Sequence, residues 1–332
     1  MSLPLWVAGA VMAALTLYAL GAGADFGGGV WDLLARGPRA ARQRHLIAHA
    51  IGPIWEANHV WLILAIVLLF VCFPTAWAAL STALHVPLTV MLVGIVLRGS
   101  AFAFRSYGAE DDAAERRWGR TFAVASLVTP VMLGLCVGAA ASGAIRVRDG
   151  RLTSGFFDSW LRPFPLVVGL FALALFSFLA AVYLTREARE DDLRADFRRR
   201  ALAAGAVSGG LAFAALVLAR GGAPPLWAGL MARGWSLPFH GITALCALLA
   251  LGAVWTRRDA LAQGAAVAQV ALVLWGWALA QFPYVLPPDL TFASAAAPRA
   301  VLEAVLGALA VGLLVLAPSL VYLFRVFKTV RT

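Results

Sequence analysis

Nine apolar runs of about twenty residues each dominate this chain. They fall at roughly 4–24, 51–73, 76–97, 122–144, 164–184, 201–219, 238–255, 261–282 and 301–324. In a bilayer every backbone N–H and C=O must be bonded within the protein, so such runs cross as helices. Composition agrees: 62% of the 332 residues are hydrophobic, 13% are charged, and the mean hydropathy is +0.84. These values exclude a soluble enzyme, a disordered chain and a disulfide-stapled secreted module, and the expected fold is an all-α polytopic membrane protein with nine transmembrane helices. The loops are short, so residues 1–332 read as one membrane domain. The second and third runs, parted by Phe73-Pro74-Thr75, read as a tight helical hairpin.

The net charge of +10 would suggest a nucleic-acid partner in a soluble chain. Here it reads instead as loop asymmetry, with membrane lipid as the environment and no nucleic-acid partner. Nineteen basic residues follow spans one, three, five, seven and nine; seven lie in the alternate loops, and Arg98 at a helix end completes the 27. The positive-inside rule places the N-terminus outside and the C-terminus in the cytoplasm, as an odd span count requires. Ala22-Gly23-Ala24 resembles a signal-peptide cleavage site, but residues 1–8 hold no Lys or Arg, so the first run is expected to stay as a helix. The polar stretch from Arg186 to Arg200 reads as a solvated helical extension. Cys72, Cys136 and Cys246 sit in apolar runs as small buried hydrophobes. Gly134/Gly138 and Gly205/Gly209 mark close helix contacts.

Two acids do not fit a purely structural reading. Asp25 stands at the inner end of span one and Glu56 inside span two. A charge at a helix centre costs about 2.5–3.5 kcal/mol, so an intramembrane carboxyl is a functional candidate that can hold and release a proton. On a continuous helix His45, His49, Glu56 and His59 share one stripe, with Pro53 as the possible interruption. That stripe runs from the arginine-rich surface into the membrane, the layout of a proton-uptake route. Glu56 and His59 also have the Glu-x-x-His spacing of di-metal bundles, but a second such pair and further inward glutamates are lacking, so no metal site is expected. Five histidines are too few for a haem-copper oxidase core. A rival class is a secondary transporter, with midplane ionisable residues and helices interrupted at Pro87 and Pro130; no internal repeat supports it.

Three motifs carry a family resemblance. Gly21-Ala-Gly-Ala-Asp25-Phe-Gly27-Gly-Gly29 closes span one. Ile51-Gly-Pro53-Ile-Trp55-Glu56-Ala-Asn58-His59-Val-Trp61-Leu62 opens span two. Arg98-Gly-Ser-Ala-Phe102-Ala-Phe104-Arg105 follows span three. Together with Phe282-Pro283-Tyr284-Val-Leu-Pro287, they make the chain resemble subunit II of the cytochrome bd-type terminal oxidases from about residue 10 to 328. The resemblance implies nine helices, mostly in two four-helix bundles plus one peripheral helix. It implies a heterodimer core with a haem-bearing subunit I, possible small accessory subunits, and a place in the bacterial cytoplasmic membrane. The complex would oxidise quinol and reduce O₂ to water, with haem b and haem d in subunit I and no cofactor in this chain. Subunit II would stabilise the complex and help conduct protons.

By the same resemblance, the family's acids map onto Asp25 and Glu56 and its arginine onto Arg98. Asp25, Glu56 and His59 are then the expected proton carriers, with Trp55, Asn58, Trp61 and Arg98 as the supporting motif. The chain departs from many relatives at Ala22 and Ala103, where they carry acids. Two relays are thus missing, and His59, a neutral polar residue in many relatives, is a candidate substitute. A divergent branch using another electron donor is the remaining alternative.

Overall fold

The computed structural model describes residues 2–51, 55–107 and 112–329; the side chains of 51, 55–57, 105–107, 112–116, 317, 320, 321 and 323–329 are outside the description. Among the described residues there are twelve helices and two small antiparallel hairpins. Eight helices are long and apolar enough to span a membrane, or nine when one bent pair is taken as a span.

Helix α1 (Leu3–Leu33) starts with Pro4 in its first turn, where a missing N–H costs nothing. It continues for two turns beyond Asp25. The expected end of span one is therefore too early. The glycines that suggest a terminus are instead helical and buried against neighbouring helices, and in an apolar environment continuing the helix keeps every peptide bonded.

Helices α2 (Ala40–Ile51) and α3 (Trp55–Cys72) are separate elements. At Phe73, with Pro74 restarting the helix, the chain bends by 119° into α4 (Pro74–Ala83). This short helix buries Ala76, Ala79 and Ala83 on one face. The next long helix is α5 (His85–Tyr107), so the third span lies later than the expected 76–97 and the simple hairpin is replaced by a bent pair. Composition is equally apolar on both sides of Leu84, which hides the break. The chain continues with α6 (Asp112–Ala141), α7 (Pro163–Glu187), α8 (Asp191–Gly222), α9 (Pro224–Met231), α10 (Ser236–Trp255), α11 (Asp259–Gln281) and α12 (Arg299–Thr329).

Packing sorts the long helices into two groups of four. In the first, α1 packs on α3 and α6, and α5 packs on α6. In the second, α7 packs on α8 and α11, and α10 on α8 and α11. The seam is α1 and α6 against α7, where Phe26, Phe176, Leu179 and Ala180 are buried. Helix α12 lies outside both groups, against α1 and α3. Hairpin β1 (Val147–Arg148) with β2 (Arg151–Leu152) precedes α7, and β3 (Tyr284–Leu286) with β4 (Leu290–Thr291) precedes α12. The two are clamped together: Arg146 donates twice to Asp289, at 2.9 Å each, and the Val147 N–H donates to the same carboxylate at 2.8 Å.

The polar stretch from Arg186 to Arg200, most of which forms the first turns of α8, does more than meet solvent. Arg39 forms a bidentate pair with Asp196 at 2.8 Å, Gln43 donates to the same carboxylate, and Arg42 forms a bidentate pair with Asp192. Arg200 donates to Gln43 Oε1 at 2.8 Å and lies over the rings of Trp31 and Phe197. These contacts pin α2 across the ends of α1 and α8.

Candidate functional site

The first and third sequence motifs meet in the interior of the first helix group. Arg98, on α5, is 2% exposed and Asp25, on α1, is fully buried. Arg98 Nη1 lies 2.7 Å from Asp25 Oδ1, and Nη2 donates to the Asp25 backbone carbonyl at 2.8 Å. The Nε donates to Ser126 Oγ on α6 at 3.0 Å, while that hydroxyl donates to Phe122 O at 2.7 Å. The guanidinium also sits over Phe26, at 5.0 Å, and Phe122, at 4.6 Å. Three helices therefore converge on one cation. Burying two charges is tolerable here because each has a close opposite partner and the guanidinium's remaining donors are shared out.

The second motif joins from α3. Asn58 is buried, and it packs so tightly against α1 that a Cβ at Gly21 would overlap its amide. One residue on, the His59 ring lies 6.2 Å from Tyr18 and 6.3 Å from Phe26, centre to centre. Phe26 thus touches both the His59 ring and the Arg98 guanidinium. Around this ion pair, Tyr18 Oη, Asp25 Oδ2, both amide atoms of Asn58 and His59 Nδ1 are buried with no hydrogen-bond partner among the described residues. Buried polar groups of this kind are ordinarily bonded to one another or to trapped water. A concentration of them beside an ion pair is a polar cluster in an otherwise apolar bundle.

Of the sequence-stated site residues, Asp25, Asn58, His59 and Arg98 come together. Trp61 is half-buried on α3 and packs against the main core. Glu56 and Trp55 stand in the first turn of α3, but their side chains lie outside the described residues. The stripe expected on one helix is divided: His45 and His49 are exposed on α2, while Glu56 and His59 belong to α3. Tyr18, Phe26 and Ser126 are additional participants. Tyr18 had a readable signal, since it precedes Asp25 by seven residues and so shares its helix face. Ser126 had none.

Three of the histidines are held by protein neighbours. His59 is enclosed by Tyr18 and Phe26, His85 stacks edge-on with Phe156 while its Nδ1 meets Thr82 O, and His240 Nδ1 is held by Ser236 O. Among the described residues no group of three or more His, Cys, Asp or Glu is placed to hold a metal ion.

Comparison with known proteins gives one consistent answer. The chain is 25% identical over 324 residues to a protein described as a putative cytochrome bd menaquinol oxidase subunit II of Bacillus subtilis (strain 168), covering 94% of this chain and 91% of that one. Over 145 residues it is 28% identical to the cytochrome bd-I ubiquinol oxidase subunit 2 of Escherichia coli (strain K12), covering 43% and 38% of the two. Its fold is similar to a chain of the bd oxidase from Geobacillus thermodenitrificans, with a TM-score of 0.78, 22% identity and coverage of 98% and 99%. The family model described as cytochrome bd terminal oxidase subunit II matches residues 3–327, and the chain belongs to that family.

Proposed function

We propose that this chain is the subunit II of a quinol-oxidising, O₂-reducing complex of the bacterial cytoplasmic membrane, and that it supplies protons from the cytoplasm through the polar cluster around Asp25. Reducing O₂ to water consumes protons, and the hydrocarbon layer offers none. The observation that carries the reading is the buried Asp25–Arg98 pair flanked by the unpartnered polar atoms of Tyr18, Asn58 and His59. In this reading Glu56 receives protons near the arginine-rich surface, His59 and Asp25 pass them inward, and Arg98 holds the Asp25 carboxylate in place. Asn58 and Tyr18 orient the path. Haem b and haem d belong to a partner subunit I, where they carry the redox chemistry. That subunit, or lipid, covers the exposed apolar side chains of α3 and α5, among them Val60, Ile63, Val67, Leu92 and Val96.

Replacing Glu56 by Gln keeps the shape and removes the titratable proton. The purified complex carrying Glu56→Gln should retain its subunits and haem spectrum while its O₂ consumption slows by roughly tenfold, the rate cost of about 1.4 kcal/mol in the barrier. Near-normal turnover would defeat the relay assignment.

A further inference from the structure

Helix α2 carries a feature that the proton route does not require. His45 and His49 are four residues apart, both exposed, with ring centres 6.4 Å apart and planes within 4° of parallel. Two histidines at this spacing on one helix face are the arrangement that chelates zinc in helical metal sites. With metal–nitrogen bonds of about 2.0–2.1 Å, two imidazoles on a tetrahedral ion have ring centres about 5 Å apart. The observed pair needs to close by only about 1 Å, and exposed side chains reach that by small rotations about χ1 and χ2.

The surroundings tolerate a cation in spite of the many arginines. Arg42, one turn before His45 and on the same face, is engaged by Asp192 and Glu190 from α8. Arg39 is engaged by Asp196. Arg44 points elsewhere and donates to Ala35 O. Imidazole selects Zn²⁺, Cu²⁺ or Ni²⁺ over Mg²⁺ and Ca²⁺, which prefer oxygen ligands. With two protein ligands, water fills the other positions.

We propose that His45 and His49 form a surface site for a divalent transition-metal ion, and that an ion held there slows turnover of the complex. The second half rests on the proton-uptake reading, because the pair lies on α2 just before the helix that carries Glu56. A bound dication there adds positive charge at the start of that route and repels incoming protons.

The test uses the whole purified, tag-free complex. Titration with Cu²⁺, followed by electron paramagnetic resonance, should reveal a site with nitrogen ligands. Affinity there should fall by about tenfold or more in His45→Ala and in His49→Ala, since loss of even a supporting partner costs that much at metal sites. Identical titrations in wild type and both variants would overturn the site. O₂ consumption is then titrated with ZnCl₂, each variant against its own uninhibited rate. Half-inhibition should move about tenfold higher in both variants, in step with the lost affinity. An unmoved inhibition curve alongside lost Cu²⁺ binding would overturn the coupling to turnover. These outcomes are independent of Glu56→Gln, whose normal turnover would refute the proton route and leave the metal titration unaffected.

Discussion

The guanidinium of Arg98 meets Asp25 twice, through the carboxylate at 2.7 Å and through the backbone carbonyl at 2.8 Å. One side chain on α5 thereby fixes both the charge and the main chain of α1. Removing either partner leaves an uncompensated buried charge, which costs about 3–5 kcal/mol, whereas replacing both by apolar groups costs far less. Asp25→Leu and Arg98→Met should each lower the thermal midpoint of the complex sharply. The double variant Asp25→Leu/Arg98→Met should recover most of the loss. Additive losses would show that the two residues do not act as a pair.

His59 offers a separate handle on the polar cluster. Its Nδ1 is buried without a partner among the described residues, and its ring rests between Tyr18 and Phe26. His59→Phe preserves the aromatic packing and removes both ring nitrogens. Assembly should be unaffected, and O₂ consumption should fall by roughly tenfold if the ring carries protons. His59→Gln, which retains hydrogen-bonding atoms, should be slowed less. Equal rates in the wild type and His59→Phe would assign the ring to packing alone.

Much of this arrangement was legible in the residues and some was not, for identifiable reasons. Long apolar runs announce helices because lipid leaves the backbone no other partner. Asp25 and Glu56 stood out because charge is rare at that depth, and Arg98 through the motif that resembles the family's. Their partners did not: Asp25 and Arg98 are 73 residues apart, and periodicity within one span is silent about which face meets another span. Ser126 looks like any small residue of an apolar helix. The stripe from His45 to His59 assumed a continuous helix, and the division between α2 and α3 separates its two halves. The four arginines at 36–44 looked like a loop, and only the pairing of Arg39 with Asp196 and of Arg42 with Asp192 reveals a docked helix. The turn at Phe73 and Pro74 was readable, whereas the break at Leu84 was hidden because α4 and α5 are both apolar.

Gly27 lies where α1 crosses α7, and a Cβ there would overlap the Phe176 carbonyl. Backbone cannot rotate aside as a flexible side chain can, so Gly27→Ala must push the two helices apart. Overpacking of this kind costs about 1–3 kcal/mol. Gly9, on the same helix, has open space around its α-carbon. Gly9→Ala should therefore leave the thermal midpoint unchanged or raise it slightly, as alanine favours the helix. Equal effects at the two positions would mean that the α1–α7 seam is not the constraint on Gly27.

Outside the spans, Asp289 predicts a local dependence on pH. Burial disfavours its charged form, but the hydrogen bonds from Arg146 and the Val147 N–H, with the nearby charges of Arg146 and Arg148, outweigh that and hold the carboxyl below its usual value. The same pairing holds Arg146 above its own. Because the folded value is the lower one, the clamp contributes its full share above an unfolded aspartate's ordinary value of about 3.9. That share is lost as the pH falls through the folded value and the carboxylate is protonated. Amide hydrogen exchange across residues 146–153, corrected for the intrinsic rate at each pH, should be slow near pH 6 and accelerate below about pH 4. Asp289→Asn should show weak protection at both pH values and little change between them. Protection in the wild type that persists unchanged to pH 2.5 would show that the hairpins are held together by other contacts, such as the Thr153 N–H to Arg146 O bond at 2.9 Å, and not by this carboxylate.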